Sequence, residues 1–397
     1  MTPSPPRGAQ SSRRRFIRLA GGGVVLAAAS PLAVIGCAAG MPTAALQPWS
    51  APTDTLEIRE FMLAYALLAP NPHNRQPWIA DLREPRAITL FCDSDRLLPE
   101  TDPFGRQIMI GCGAFLELAV QAAAQRGRAV QVSLFPDGEP PDQTLPRGVR
   151  VARLVFGEPG SAEPDPLFAQ VLERRTHKGA YDNQRVVAAP LWQRLYRASA
   201  AQPSLMLGHV SESARMTALR HLTRTAFEIE LLTPATYLES ARLLRIGPTE
   251  IERHRDGISI TGTMPRLLDA VGLFDRFEVP RRGTDAHRRM LDYWKPFETG
   301  SGYFWIATQG NRRGDQLAVG RAFVRAQLQA TADGLSLHPL SQALQEFDAM
   351  REPRRTLHAA LGLDPAAHTL QMLSRVGYAL EPAGHSPRRA LSDLLRA

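Results

Sequence analysis

Two cations and a hydroxyl occupy alternate positions in one short stretch of the chain. Arg174, Thr176 and Lys178 belong to the sequence RRTHK, which follows a predicted helix start. Alternate side chains of an extended turn lie on one side of the backbone. Guanidinium, hydroxyl and ammonium groups are the usual partners of a phosphate. The stretch therefore predicts a phosphate site, and a charged helix end in solvent is the alternative.

A proline-rich turn, APNPHNRQPW at residues 69–78, carries more hydrogen-bonding groups than a connector needs. Its prolines fix the backbone, so Asn71, Asn74 and Gln76 would present their amides from a rigid loop. Amides both donate and accept, which suits a flat heteroaromatic ligand with carbonyls and ring nitrogens. The alternative is a helix-ending turn whose Asn side chains bind their own backbone.

Two later stretches could complete such a site. One follows a helix that ends at Gly334, where exposed backbone N–H groups beside an apolar wall could stabilise negative charge on a reduced ring. It comprises His338, Pro339, Leu340 and Ser341. The other is the pair Arg388 and Arg389, which could add cations to a phosphate site or lie in a solvated tail.

The elements that must position these residues occur in an order that repeats. Apolar periodicity predicts helices at 56–68, 107–126 and 317–334, and β-branched runs predict strands such as 87–93, 303–310 and 371–380. The two longer helices each run from glycine to glycine in a frame of equal length. The repeated order predicts a duplicated half, with amphipathic helices of equal length as the alternative.

The N-terminal segment resembles an export signal. Residues 12–18, SRRRFIR, look like a twin-arginine signal, and a weakly apolar stretch follows that ends at Cys37 in a sequence resembling a lipobox. We therefore expect export by the twin-arginine machinery to the periplasm or cell envelope, with Cys37 as the lipidation site. The predicted organisation is a signal at 1–37, a linker at 38–53, a first module at 54–160 and a second module at 161–397. The second module contains an insertion at about 227–299, either a lid or a packed insertion.

Composition limits the remaining possibilities. Among 397 residues, 44% are hydrophobic and 22% charged, which is ordinary for a globular protein. The formal charge of +8 includes five arginines of the signal region, so it gives no argument for nucleic-acid binding. Histidines are scattered and no CxxC or HExxH occurs, so we expect no metal site. Cys92 and Cys112 could form a disulfide or remain free thiols.

Taken together, the stretches APNPHNRQPW, RRTHKGAYD, GLSLHPLSQ, RVGY and PRR occur in an order that resembles the nitroreductase family. The duplicated modules, export signal and long insertion look most like its Acg-type branch. The resemblance implies an α+β fold in which two related modules, each a sheet flanked by helices, form one pseudo-dimeric unit, so the chain would not need a second copy.

The same resemblance implies FMN as the cofactor. Arg174, Thr176 and Lys178 would bind its phosphate and ribityl chain, with Arg388 or Arg389 completing the phosphate site. The isoalloxazine ring would face the loop of the other half, with Gln76 as support, and the segment from His338 to Ser341 would approach the flavin N5 edge. The ring-facing loop residues would be Pro70, Asn71, Pro72 and Asn74.

The implied function is an exported flavoprotein that passes electrons from reduced FMN to a nitroaromatic or quinone. No side chain need act as an acid or base in that reaction, so no catalytic residue is predicted. The alternatives are a non-enzymatic FMN-binding or sequestering protein with a lid-closed site, and an envelope lipoprotein that binds another ligand.

Overall fold

The computed structural model describes residues 40–53, 55–200, 204–262 and 275–396. The predicted twin-arginine segment and Cys37 lie outside the described residues. Within the predicted linker, residues 43–49 are helical, and Trp49 is buried against the C-terminal segment, with its Nε1 donating to the Ser386 carbonyl at 2.8 Å.

Ten α-helices occur in the described part of the chain. In chain order they are α1 (Thr43–Leu46), α2 (Ile58–Ala66), α3 (Arg106–Gln125), α4 (Ala189–Ser199), α5 (Ser213–Leu232), α6 (Pro234–Arg242), α7 (Gly247–His254), α8 (Asp285–Trp294), α9 (Arg313–Ala332) and α10 (Arg351–Leu361). The predicted helices at 107–126 and 317–334 correspond to α3 and α9. Both helices stop where predicted because Gly127 and Gly334 adopt positive φ, at 67° and 68°.

Most strands lie in two four-stranded antiparallel sheets. The strands are β1 (Trp78–Asp81), β2 (Ala87–Cys92), β3 (Val130–Leu134), β4 (Arg150–Phe156), β5 (Met206–Val210), β6 (Leu244–Ile246), β7 (Ile258–Ile260), β8 (Gly302–Thr308), β9 (Ser336–Pro339) and β10 (Thr369–Gly377). One sheet has the order β1-β2-β4-β3 and the other β5-β8-β10-β9, while β6 and β7 form a small parallel pair.

The two large sheets share one topology. In each sheet, the fourth strand of the half lies between the second and the third strands. A 20-residue helix, α3 or α9, connects the second strand to the third. The predicted α+β fold is therefore confirmed. The two sheets also account for the repeated element order seen in the sequence.

Helices α3 and α9 pack against each other through two glycines. A Cβ atom on Gly113 would lie 2.1 Å from the Leu317 carbonyl oxygen, and one on Gly320 would lie 1.9 Å from the Ile110 oxygen. Leu317 lies three positions before Gly320 in α9, and Ile110 lies three positions before Gly113 in α3. Each helix therefore offers one glycine and one carbonyl to the other, and the contact is reciprocal. Helix α3 is apolar and long enough to cross a membrane, but it is buried in this core. Its apolar surface is therefore explained by packing.

Candidate functional site

The loop that joins α2 to β1 has an unusual backbone. Residues Pro72–Asn74 form a short 3₁₀ turn, and three residues that are not glycine adopt positive φ: His73 at 47°, Asn74 at 51° and Gln76 at 51°. Such conformations persist only where surrounding contacts impose them, and they cluster at functional sites. One contact is local, because the Asn71 Oδ1 accepts from the Gln76 backbone N–H at 2.7 Å.

The C-terminal segment supplies other contacts to this loop. Arg388 Nη1 donates to Asn74 Oδ1 at 2.9 Å, and Asn74 Nδ2 donates to the Pro387 carbonyl at 3.0 Å. The side chain of Gln76 is completely buried, and its Oε1 accepts from the Arg389 backbone N–H at 2.8 Å. The amides of Asn74 and Gln76 thus hold the loop to the chain terminus, and their predicted role toward a flavin ring stays a prediction.

The insertion in the second half lies directly on the same loop. Gln76 Nε2 donates to the Arg255 carbonyl at 2.7 Å, and the Gly257 N–H donates to the Asn74 carbonyl at 3.3 Å. Between them, buried Asp256 binds three guanidinium groups. They belong to Arg75 at 3.2 Å, Arg96 at 2.9 Å and Arg245 at 2.8 Å. This part of the insertion is therefore packed over the loop.

Two arginines that the sequence places in the phosphate site are buried side by side. Arg174 Nη2 donates to the Leu68 carbonyl at 2.8 Å, and Arg388 Nη2 donates to the same carbonyl at 3.0 Å. This carbonyl follows the end of α2, where the helix dipole is negative. Neither arginine forms an ion pair with a carboxylate of the described residues. Neutral oxygens and the Trp49 ring are therefore the partners of these two cations among the described residues.

Burying two guanidinium cations without an anion costs free energy, because each loses its hydration. Burial lowers the pKa of Arg174 to about 10. The pKa of Arg388 is also lowered, first by burial and then by the charge of Arg174. All three Arg388 nitrogens donate to protein oxygens, whereas the buried Arg174 Nε has no partner among the described residues. Arg174 thus retains a donor for an oxyanion, and Arg388 fixes the structure beside it.

Thr176 and Lys178 extend from Arg174 toward the proline loop. Gln327 connects the first two, because its Oε1 accepts from Arg174 Nη1 at 3.2 Å and its Nε2 donates to Thr176 Oγ1 at 3.4 Å. Lys178 is exposed, but desolvation by the surrounding protein lowers the pKa of its ammonium group. Its charge acts on His73 of the first half and on His338 of the second. The structure therefore brings the cationic turn and the proline loop together.

His338 lies on β9 opposite Arg375 of β10. Arg375 Nε donates to His338 Nδ1 at 3.1 Å, which leaves Nε2 as the nitrogen that carries the proton. Burial, followed by the charges of Arg375 and Lys178, lowers the pKa of His338 well below its usual value. His73 is also neutral, because burial and the Lys178 charge lower its pKa to about 4, and its buried Nδ1 has no partner among the described residues.

The other predicted residues have structural contacts. Leu340 donates its N–H to the Leu373 carbonyl at 2.8 Å, and Pro339 pairs with Ser374 at the end of β9. Ser341 begins a 3₁₀ turn. The Arg389 guanidinium bonds to the Gln76 and Asp393 carbonyls, away from Arg174. Of the two C-terminal arginines, Arg388 is therefore the one beside the cationic turn.

Four residues of this region were missed by sequence reasoning: Trp49, His73, Arg375 and His385. Trp49 was hidden in a segment whose composition suggested a linker, and Arg375 in a run that reads as an ordinary buried strand. His73 lay inside the quoted turn. Its position between two prolines and two asparagines was the signal that could have identified it.

Cys92 and Cys112 are free, buried thiols. A hydrogen bond with Cys112 and then burial raise the pKa of Cys92 well above its usual value. Across the described residues, no group of three or more His, Cys, Asp or Glu side chains could hold a metal ion.

Comparison with known proteins places this chain among nitroreductase-like relatives. No family model matches the sequence. It is 29% identical over 343 residues to "Putative NAD(P)H nitroreductase Rv3131" of Mycobacterium tuberculosis, covering 84% of this chain and 90% of the relative. It is 28% identical over 365 residues to "Putative NAD(P)H nitroreductase acg" of the same organism, covering 86% and 96%. The chain is therefore a homologue of these proteins, and the resemblance to the Acg-type branch is confirmed.

Among solved structures, the FMN-dependent nitroreductase NfnB of Mycobacterium smegmatis, crystallised with NADPH, is 20% identical. The alignment covers 57% of this chain and 94% of NfnB, with a TM-score of 0.36.

Proposed function

We propose that this protein is an FMN-binding flavoprotein of the nitroreductase-like type, with its flavin held between the two halves. When bound, FMN would supply redox chemistry by exchanging electrons between a donor and an acceptor. The observation that carries the proposal is the buried pair Arg174 and Arg388, which lacks a carboxylate among the described residues and lies beside the proline loop.

The residues present fit the phosphate end of such a cofactor. Arg174 offers its unpartnered Nε, and Thr176 and Lys178 extend the donor set along the turn. An anion would offset the mutual repulsion of the buried guanidinium groups, and charge-assisted hydrogen bonds are the strongest that a site can offer a phosphate. Arg388 would orient the loop through Asn74 without contacting the anion itself.

At the other end, the two neutral imidazoles of His73 and His338 would face the ring, and the charge of Lys178 acts on both. Arg375 keeps the proton of His338 on Nε2, so that this side chain presents a donor. His73 presents an unpartnered nitrogen from the first half. The segment at 255–257 would exclude water from the loop side. These groups would bind and orient the flavin, and none of them needs to transfer a proton.

For the reaction, we propose electron transfer to nitroaromatic or quinone acceptors. Both relatives carry the name "Putative NAD(P)H nitroreductase". A periplasmic protein has no evident pool of that donor, so another electron carrier would have to reduce the flavin.

The second candidate is an FMN-binding protein that does not turn over. It is favoured by the insertion, which Asp256 fixes over the loop through Arg75 and Arg96 of the first half. Purified protein should be yellow under both ideas. Reduction with dithionite followed by addition of a nitroaromatic separates them, because only the enzyme should reoxidise its flavin faster than free FMN does. Colourless protein that does not take up added FMN would contradict both and favour an envelope protein for another ligand.

We also propose export through the twin-arginine pathway, lipidation at Cys37 and function as a monomer in the cell envelope. The Arg13→Lys and Arg14→Lys double variant should leave the precursor in the cytoplasm. Cell fractionation tests this, and normal export of the variant would contradict the signal assignment.

A further inference from the structure

His385 lies at the edge of the two-arginine cluster and is held by Trp49. The imidazole stacks on the indole with a centroid distance of 4.1 Å and an interplanar angle of 30°. The indole is itself fixed, because its Nε1 donates to the Ser386 carbonyl at 2.8 Å. The orientation of the His385 ring is therefore set by an aromatic contact and by the adjacent backbone.

The same indole also contacts both guanidinium groups. The central guanidinium carbon lies 5.6 Å from the ring centroid for Arg174 and 5.0 Å for Arg388, within the range of cation–π attraction. The backbone is held nearby, because the Arg388 N–H donates to the Ala45 carbonyl at 2.9 Å. Trp49 thus places three nitrogen-bearing side chains around one aromatic surface.

Two buried polar atoms in this cluster lack a partner among the described residues: His385 Nε2 and Arg174 Nε. Buried polar atoms in native structures are normally hydrogen-bonded, so two such atoms in one cluster indicate a missing oxygen-rich group. Burial and the charges of Arg175, Arg174 and Arg388 lower the pKa of His385 to about 3. A neutral imidazole can carry its proton on either ring nitrogen, and the tautomer with the proton on Nε2 would donate to an oxyanion in this cationic environment.

We infer that His385, together with Arg174, binds the phosphate group of the flavin, and that Trp49 is the residue that positions both. The inference rests on the proposed function and extends it. It assigns to this cluster the discrimination between FMN and riboflavin, which differ by that phosphate. The Nε2–H of His385 and the Nε–H of Arg174 would both donate to phosphate oxygens.

The test uses the full mature chain after removal of bound flavin, with FMN and riboflavin titrated by flavin fluorescence. The variant His385→Phe keeps an aromatic ring to stack on Trp49 but removes the donor. We expect the Kd for FMN to rise about tenfold, the effect of one charge-assisted hydrogen bond, and the Kd for riboflavin to stay unchanged. His385→Gln, which retains an N–H donor, should recover part of the loss.

The matched control is His221→Phe, which makes the same change at an exposed position of α5 and should alter neither Kd. An unchanged Kd for FMN in His385→Phe would overturn the inference. So would an equal loss of FMN and riboflavin, because a purely structural role affects both ligands. If the wild-type chain binds neither flavin, the proposed function itself fails, and that result is distinct from wild-type FMN binding that ignores His385.

Discussion

The two halves of this chain share a scaffold but differ where the scaffold could bind a ligand. In the first half, the connection from α2 to β1 contains the proline loop with its three positive φ angles. In the second, the connection from α4 to β5 covers only residues 200–205. Conversely, RRTHK precedes α4, whereas residues 40–57 before α2 contain no lysine or arginine. The loop and the cationic turn are thus each present in one half, and the proposed site needs both.

The docking of the halves retains more symmetry than the site. Besides the two glycine contacts, a buried arginine begins each long helix and reaches the opposite half. Arg106 Nε binds Glu346 at 3.0 Å, and Arg313 Nη2 donates to the Phe104 carbonyl at 2.7 Å. The pair differs in one respect, since Arg106 has a carboxylate partner and Arg313 has only neutral acceptors among the described residues. The scaffold is therefore duplicated even where its chemistry is not.

The largest expected effect comes from filling the reciprocal contact. Gly320→Ala should lower the free energy of unfolding by about 4 kcal/mol, because the new methyl group overlaps the Ile110 carbonyl oxygen. Urea denaturation measures it. Gly314→Ala is the control, since its Cβ would lie 3.6 Å from Glu139 Oε1, its nearest neighbour among the described residues. Equal stability of the two variants would mean that the close helix approach is not needed.

The pair Arg106 and Arg313 tests how far the symmetry between the halves extends. Arg106→Met should cost about 3 kcal/mol, because the buried Glu346 carboxylate loses its closest cation and keeps only Arg354, at 3.3 Å, among the described residues. Arg313→Met removes bonds to neutral carbonyls and should cost about 1–3 kcal/mol. Chemical denaturation of both variants compares them directly. A larger loss for Arg313→Met would show that carbonyl contacts dominate the docking.

The cationic turn provides a ligand-binding counterpart. The double variant Arg174→Ala and Lys178→Ala should weaken FMN binding by about 3 kcal/mol, because charge-assisted contacts to the phosphate are lost. Fluorescence titration measures the change. The control removes two exposed cations of the same half, Arg289→Ala and Lys295→Ala. Unchanged affinity in the first double variant would refute the phosphate assignment.

The remaining effect depends on pH and concerns the insertion, which has no counterpart in the first half. Burial raises the pKa of Glu230 to about 7. A carboxyl group with a raised folded-state pKa stabilises the fold at low pH and loses this contribution as pH rises toward and through that value. Glu230→Gln should therefore be more stable than wild type at pH 8 by up to about 3 kcal/mol, and similar at about pH 4.

Denaturation at both pH values measures this difference. The exposed Glu252→Gln variant serves as the control. A stability gap that does not change with pH would exclude titration of Glu230 as its source.

Local patterns predicted the scaffold well and the site only in part. Helices α3 and α9 and their terminal glycines follow from apolar periodicity and backbone preference, which are properties of neighbouring residues. Asp256 could not be identified in this way, because its partners Arg75 and Arg96 belong to the other half of the chain. Trp49 was missed for the same reason, because its partners Ser386, Arg174 and Arg388 are distant in the sequence. The meeting of the loop with the cationic turn was expected only through resemblance to a family.

The close approach of α3 and α9 at Gly113 and Gly320 bears on how the two halves respond to dilution. In a homodimer, two such surfaces separate on dilution, whereas here they are covalently linked and their association is intramolecular. A site assembled from both halves would therefore persist at any protein concentration. Linkage in one polypeptide also allows each half to change its sequence independently of the other.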